Sequence, residues 1–157
     1  MSRVENIAKF AQKRNEEQIA KEIATMKRIE EYKETIKSLK PRIDELIIVG
    51  NACMKNDIPL TGKAWGGHEG YDTHQFFTNC WSHLLGFVAV FDQNTRKQLP
   101  ITKLGIYGGG CCDYNLVTDG ETIEIVGKDV AFVLKRFVDE FDKFETEFYK
   151  YVDKVTA

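Results

Sequence analysis

Leu104-Gly105-Ile106-Tyr107-Gly108-Gly109-Gly110-Cys111-Cys112-Asp113-Tyr114 is a short apolar strand that runs into three consecutive glycines and leaves them beside an aspartate. Glycines between strand-like flanks leave amide N–H groups that no side chain shields. Such a run either closes a tight turn or bulge or forms an anion-binding concavity, and the residues alone leave both open. No Lys-Ser/Thr follows the glycines and no G-x-G-x-x-G spacing is present. A phosphate here is therefore not held as in a P-loop NTPase or a dinucleotide-binding fold.

Outward from this stretch, strands are predicted on both sides. Downstream lie 111–117, a turn at Thr118-Asp119-Gly120, and 122–126 with one polar face. Upstream lie 101–107, a turn at Asp92-Gln93-Asn94-Thr95, then 84–91, whose two faces are both apolar as in a central strand, and 75–78. Short turns between successive strands predict an antiparallel sheet. Before it, 61–75 combines Gly62, Gly66, Gly67 and Gly70 with Trp65, His68, Tyr71 and His74, the composition of a loop that rims a binding site.

The ends of the chain read as helices. Residues 3–40 contain no Gly or Pro, and Ile29, Tyr32, Ile36, Leu39, Ile43 and Leu46 recur at three and four residues, a coiled-coil type of seam. Pro41 breaks the ladder without shifting that register and opens a second helix to about residue 55, which Asn56-Asp57-Ile58-Pro59 ends. Asp129 caps the last helix, with Val130, Leu134, Phe137, Phe141, Phe144, Phe148, Tyr151 and Val155 alternating four and three. A helix of that length spans about 40 Å, more than a small sheet covers. The surplus apolar seam predicts a homo-oligomer, a dimer or higher; a monomeric helical hairpin is the alternative.

The fold class predicted is α+β, an antiparallel β-sheet of four to five strands flanked by long N-terminal and C-terminal helices. It is one domain, 1–157: a helical arm over 1–55, the glycine-rich loop and sheet over 56–126, and the last helix over 127–157. With 157 residues, 43% hydrophobic, the chain suffices for one core. A net charge of −2 gives no reason to expect DNA, RNA or an anionic membrane as partner. No apolar run approaches transmembrane or signal-peptide length, so a cytoplasmic location is expected.

Cys53 and Cys80 stand alone and Cys111-Cys112 are adjacent, so no C-x-x-C can form half of a zinc site. His68, His74 and His83 lie close in sequence, but without H-E-x-x-H or carboxylate-rich spacing. Neither a metal nor a cofactor is expected. Two catalytic constellations can be drawn: Cys111 or Cys112 with His83 and Asp113, a thiol with base and orienter, and Asp113 with Asp119 and His83 as acid–base groups. Burial of Cys and turn chemistry of Asp account for these residues more simply. A non-catalytic ligand site absorbs more of them. Phe76, Phe77 and Tyr71 offer faces to a base, Thr78, Asn79 and His83 offer hydrogen bonds, and the amides of Gly108, Gly109 and Gly110 with Arg96 or Lys103 suit phosphates.

The segment Phe77-Thr78-Asn79-Cys80-Trp81-Ser82-His83-Leu84-Leu85-Gly86-Phe87, with Gly105 to Tyr114 and Thr118-Asp119-Gly120, resembles the first family of phage Thoeris anti-defence proteins. Pro41-Arg42-Ile43-Asp44-Glu45-Leu46, Asn51-Ala52-Cys53 and Asn56-Asp57-Ile58-Pro59-Leu60 resemble that family's helical opening. The resemblance covers about 39–126 and leaves out both long helical ends. It implies a sponge and not an enzyme: such proteins sequester cyclic ADP-ribose isomers made by bacterial TIR-domain proteins in the host cytoplasm, and some hold cyclic oligonucleotides at a second site. On this chain it implies Phe77 as a base-stacking residue, Asn79 and His83 as polar contacts, and Gly108, Gly109, Gly110 and Asp113 around phosphate and ribose. The alternatives are an adaptor that binds a protein through its long helices and a small nucleotide hydrolase using Cys112, His83 or Asp113.

Overall fold

A computed structural model describes residues 2–60, 73–74, 84–88, 91–92, 94–95, 97–107, 114–127 and 129–157. Helix α1 (Arg3–Ser38) begins where the Ser2 hydroxyl accepts the Glu5 N–H at 3.1 Å. With no Gly or Pro to interrupt it, it runs for 36 residues, ~54 Å. Its last turn tightens through the Leu39 N–H to Ile36 carbonyl bond, and Pro41 sits at the start of helix α2 (Lys40–Lys55). A missing N–H is tolerated there because the first amides of a helix have no intrahelical acceptor. The predicted seam crosses the break: Ile36, Ile43 and Leu46 are fully buried, with Ile29, Tyr32 and Leu39 packed against them. Asp57, in the left-handed region at φ 59°, then turns the chain out of α2.

Five antiparallel strands form the sheet. These are β1 (Thr73–His74), β2 (Leu84–Val88), β5 (Lys103–Tyr107), β6 (Tyr114–Thr118) and β7 (Ile123–Ile125), in the order β1-β2-β5-β6-β7. Strands β3 (Phe91–Asp92) and β4 (Lys97–Gln98) pair separately as a hairpin. The run predicted as one strand over 84–91 is thus two strands. Asp92 accepts the Asn94 N–H at 2.9 Å, and this local turn takes Phe91 and Asp92 into the hairpin. The strand predicted at 75–78 lies outside the described residues. The two residues of β1 fall instead in the stretch read as loop, opposite Val88 and Phe87.

One face of the sheet carries Leu85, Phe87, Leu104, Ile106, Leu116 and Thr118, all buried, and packs against helix α3 (Val130–Val155). Asp129 caps α3 by accepting the Phe132 N–H at 3.3 Å. Leu134, Phe137, Phe141, Phe144 and Phe148 are at most 1% exposed. Asn51 of α2 ties the helices to the sheet, donating to the Ile101 carbonyl at 2.9 Å and accepting its N–H at 2.7 Å. From Leu134 to Phe148 the α3 seam is therefore covered within one chain, because α1 and α2 supply surface that the sheet lacks, while Val155 at its end is 46% exposed.

Arg42 closes the outer edge of this layer. Its guanidinium stands 4.8 Å from the Phe141 ring centroid, donates to both Glu145 oxygens at 2.9 and 2.6 Å, and to Asp142 at 2.7 Å. These bonds to carboxylates push its pKa further up. Tyr32 lies near Lys135, Arg42 meets residues 142 and 145, Glu45 lies near Tyr149, and the Tyr151 hydroxyl donates to the Pro59 carbonyl at 2.6 Å. Partners advance together, so α2 runs beside α3 in the same direction. The upstream part of α1 accordingly extends past the first turn of α3, and residues 2–24 are all exposed. Among the described residues no helix is long and apolar enough to cross a membrane.

The turn between β6 and β7 is built by three side chains. The Thr118 hydroxyl donates to the Thr122 carbonyl at 2.7 Å and accepts the Gly120 N–H at 2.9 Å. Asp119 accepts the N–H groups of Glu121 and Thr122, each at 2.8 Å, and the Thr122 hydroxyl at 3.2 Å. Donors aimed at the charged form, the Thr122 amide foremost, hold its carboxyl below the ordinary range. A depressed carboxyl contributes stability that is present above its unfolded pKa of about 3.9 and is lost as pH falls through the lower folded value. Asp119→Asn keeps an acceptor but no charge. It is expected to cost about 1 kcal/mol at pH 7 and to flatten the loss of stability below about pH 4, measured by urea denaturation across that range.

Candidate functional site

The register of the sheet brings three chain segments to one place. Leu84 is opposite Tyr107, and Tyr107 is opposite Tyr114. The start of β2, the end of β5 and the start of β6 therefore lie side by side. In sequence these termini adjoin His83, Gly108 and Asp113. Those three residues, with Phe77, Asn79, Arg96, Gly109 and Gly110, lie outside the described residues, as do Cys111 and Cys112.

Lys103 is described, and it stands elsewhere. It begins β5 opposite Val88, four residues from Tyr107, or ~13 Å along the strand. Its ammonium lies 3.4 Å from Glu124 on β7, reaching over β6. Half-exposed and already paired, it does not share the end of β5 that leads to Gly108. Asp119 is likewise occupied by the β6–β7 turn. Cys53 is a free thiol, 3% exposed, and burial pushes its pKa up, away from the thiolate form that reacts. Among the described residues no group of three His, Cys, Asp or Glu side chains could hold a metal ion.

The sheet face away from α3 has a feature that the sequence reading missed. Between Ile106 and Tyr107 the register shifts, so that Ile106 faces Leu116 while Tyr107 faces Tyr114 and Asn115 is the extra residue. Alternation alone would put Tyr114 on the same face as buried Leu116. The bulge moves it to the opposite face. There its ring lies on Gly105: a Cβ at Gly105 would stand 2.6 Å from Tyr114 Cδ1 and 2.9 Å from both Val88 Cγ2 and the Leu116 carbonyl oxygen. The Tyr114 hydroxyl reaches the Phe87 carbonyl at 3.4 Å. Gly86 is directly opposite Gly105, so two neighbouring strands lack side chains at this level. Isolated glycines inside strands were the available signal, since they mark bulges and close approaches.

The described part of the site is thus a glycine-floored, tyrosine-covered sheet face next to three converging strand ends. It offers a stacking surface and backbone groups. No family model, curated protein or solved structure matches this chain.

Proposed function

We propose that this protein binds and sequesters a cyclic ADP-ribose-type nucleotide made by TIR-domain immune proteins, and so keeps a Thoeris effector from being activated in the bacterial cytoplasm. The observation that carries it is the register Leu84, Tyr107, Tyr114, because the segments quoted for the family resemblance enter and leave the sheet at that end. β-Bulges recur next to binding sites, where they re-aim a side chain, and Tyr114 is re-aimed here. Sequestration needs recognition without turnover. A ligand of roughly 35 heavy atoms at about 0.3 kcal/mol per atom gains about 10 kcal/mol, enough for a dissociation constant of tens of nanomolar.

Incubation of the protein with cyclic ADP-ribose isomers, filtration, and heating of the retained fraction tests it. Intact nucleotide is expected in the released material. Release of a linear product would make the protein a hydrolase, and passage of all nucleotide through the filter would reject nucleotide binding. Phe77→Ala is expected to weaken binding roughly 10- to 100-fold by loss of base stacking. An unchanged dissociation constant in calorimetry would remove Phe77 from the site.

A further inference from the structure

The exposed first part of α1 carries an ordered apolar ridge that the nucleotide reading leaves unused. Ile7, Ala11, Asn15, Ile19 and Ile23 follow one another at four-residue intervals, and Val4 and Met26 close the ends three residues further out. The pattern is a mirror about Asn15: 4 matches 26, 7 matches 23, and 11 matches 19. Val4, Ile7, Ile23 and Met26 are 62–75% exposed and Ile19 is 47% exposed, so the ridge faces solvent. Phe10 is off this ridge, with the Arg14 guanidinium 5.9 Å from its ring centroid.

We propose that this arm crosses the arm of a second copy of the chain in the antiparallel sense, centred on Asn15. A four-residue ridge is inclined to the helix axis, and two such ridges lie side by side when helices cross near 50°. Antiparallel crossing sets Ala11 of one copy beside Ile19 of the other, with Ile7 and Ile23 flanking that contact along the same ridges. The two Asn15 amides meet at the dyad, where a polar pair fixes register. Charge selects the direction. Residues 3–14 hold four cations and one anion, net +3, whereas 16–27 hold two cations and three anions, net −1. Antiparallel arms place unlike halves together, while parallel arms oppose +3 to +3.

The test uses the full chain without ligand, so its outcome is separate from that of nucleotide binding. By sedimentation equilibrium, Ile19→Glu/Ile23→Glu is expected to halve the mass of the assembly while helix content stays constant, since both positions are exposed in the single chain. Phe10→Ser is expected to keep the mass. An Ala11→Cys protein mixed with an Ile19→Cys protein is expected to give, on oxidation, a tryptic disulfide joining position 11 of one copy to position 19 of the other. A wild-type chain of monomer mass, a mass unmoved by the double Glu variant, or a dominant 11-to-11 disulfide would each overturn the proposal.

Discussion

Replacing Phe87 by Ala is expected to remove about 3–5 kcal/mol of folding stability, the largest effect of any single truncation in this core. Phe87 is fully buried, its ring 4.9 Å from Phe148 and 5.3 Å from Phe144 in edge-on contact. It also lies directly under α2: a Cβ at Gly50 would stand 3.0 Å from Phe87 Cε1. One ring therefore joins sheet, α2 and α3, and its cavity cannot collapse onto any of them without moving the others. For a domain of about 5–15 kcal/mol total stability the loss approaches unfolding, read as a fall in the urea midpoint at constant slope. Gly50 supplies the control. Gly50→Ala gains helix propensity, about 1 kcal/mol, but presses on Phe87 in the wild type. Beside Phe87→Ala the same change is expected to stabilise, so the two substitutions would be strongly non-additive. Additivity within about 0.5 kcal/mol would show that Phe87 and Gly50 are not in contact.

Gly105→Ala is the second large effect, and it separates fold from function. The added methyl meets the ring of Tyr114, a Val88 methyl and the backbone oxygen of Leu116, the last of which cannot rotate away. Overpacking of this kind costs typically 1–3 kcal/mol, or roughly 2–12 °C in the melting temperature of a chain this long. Its second consequence falls on Tyr114, which is lifted from the sheet face next to Asp113 in sequence. If nucleotide binds at this end of the sheet, Gly105→Ala is expected to weaken it at least tenfold at temperatures where the protein stays folded. A fold-neutral comparison is Lys103→Ala, which disturbs only an exposed ion pair worth about 0–1 kcal/mol. Equal affinities for both variants would place the ligand away from the Gly105 face.

Much of the architecture is written in local pattern. The register of Ile36, Ile43 and Leu46 through Pro41, the Asp129 cap, the phenylalanine seam of α3 and the Thr118-Asp119-Gly120 turn each depend on residues a few positions apart, and each is found as predicted. What escaped depends on partners distant in sequence. The split after Val88 and the bulge at Asn115 arise from how strands pair, and neither changes the apolar alternation by which strands are recognised. Periodicity likewise shows that Phe141 needs a neighbour, not that Arg42 and α2 provide it. Of the candidate site, the convergence of β2, β5 and β6 followed from the predicted antiparallel order, whereas the remoteness of Lys103 from Tyr107 did not. The charge of Lys103 suits a phosphate, but its place at the start of β5 depends on the direction in which that strand runs.

The same-direction course of α2 and α3 also governs how the chain reaches its structure during synthesis. Arg42 must find Glu145 across 103 positions, and Phe87 must wait for Phe144 and Phe148. At about 5–20 residues per second, the ribosome needs several seconds to make the intervening segment. Throughout that interval the apolar side of the sheet has no lid, although α1 can coil as soon as it emerges. Closure is then a long-range event of the kind that is slow in folding. A premature stop within 130–148 is consequently expected to leave the apolar sheet face uncovered and the fragment prone to aggregation, read as loss of the truncated protein from the supernatant.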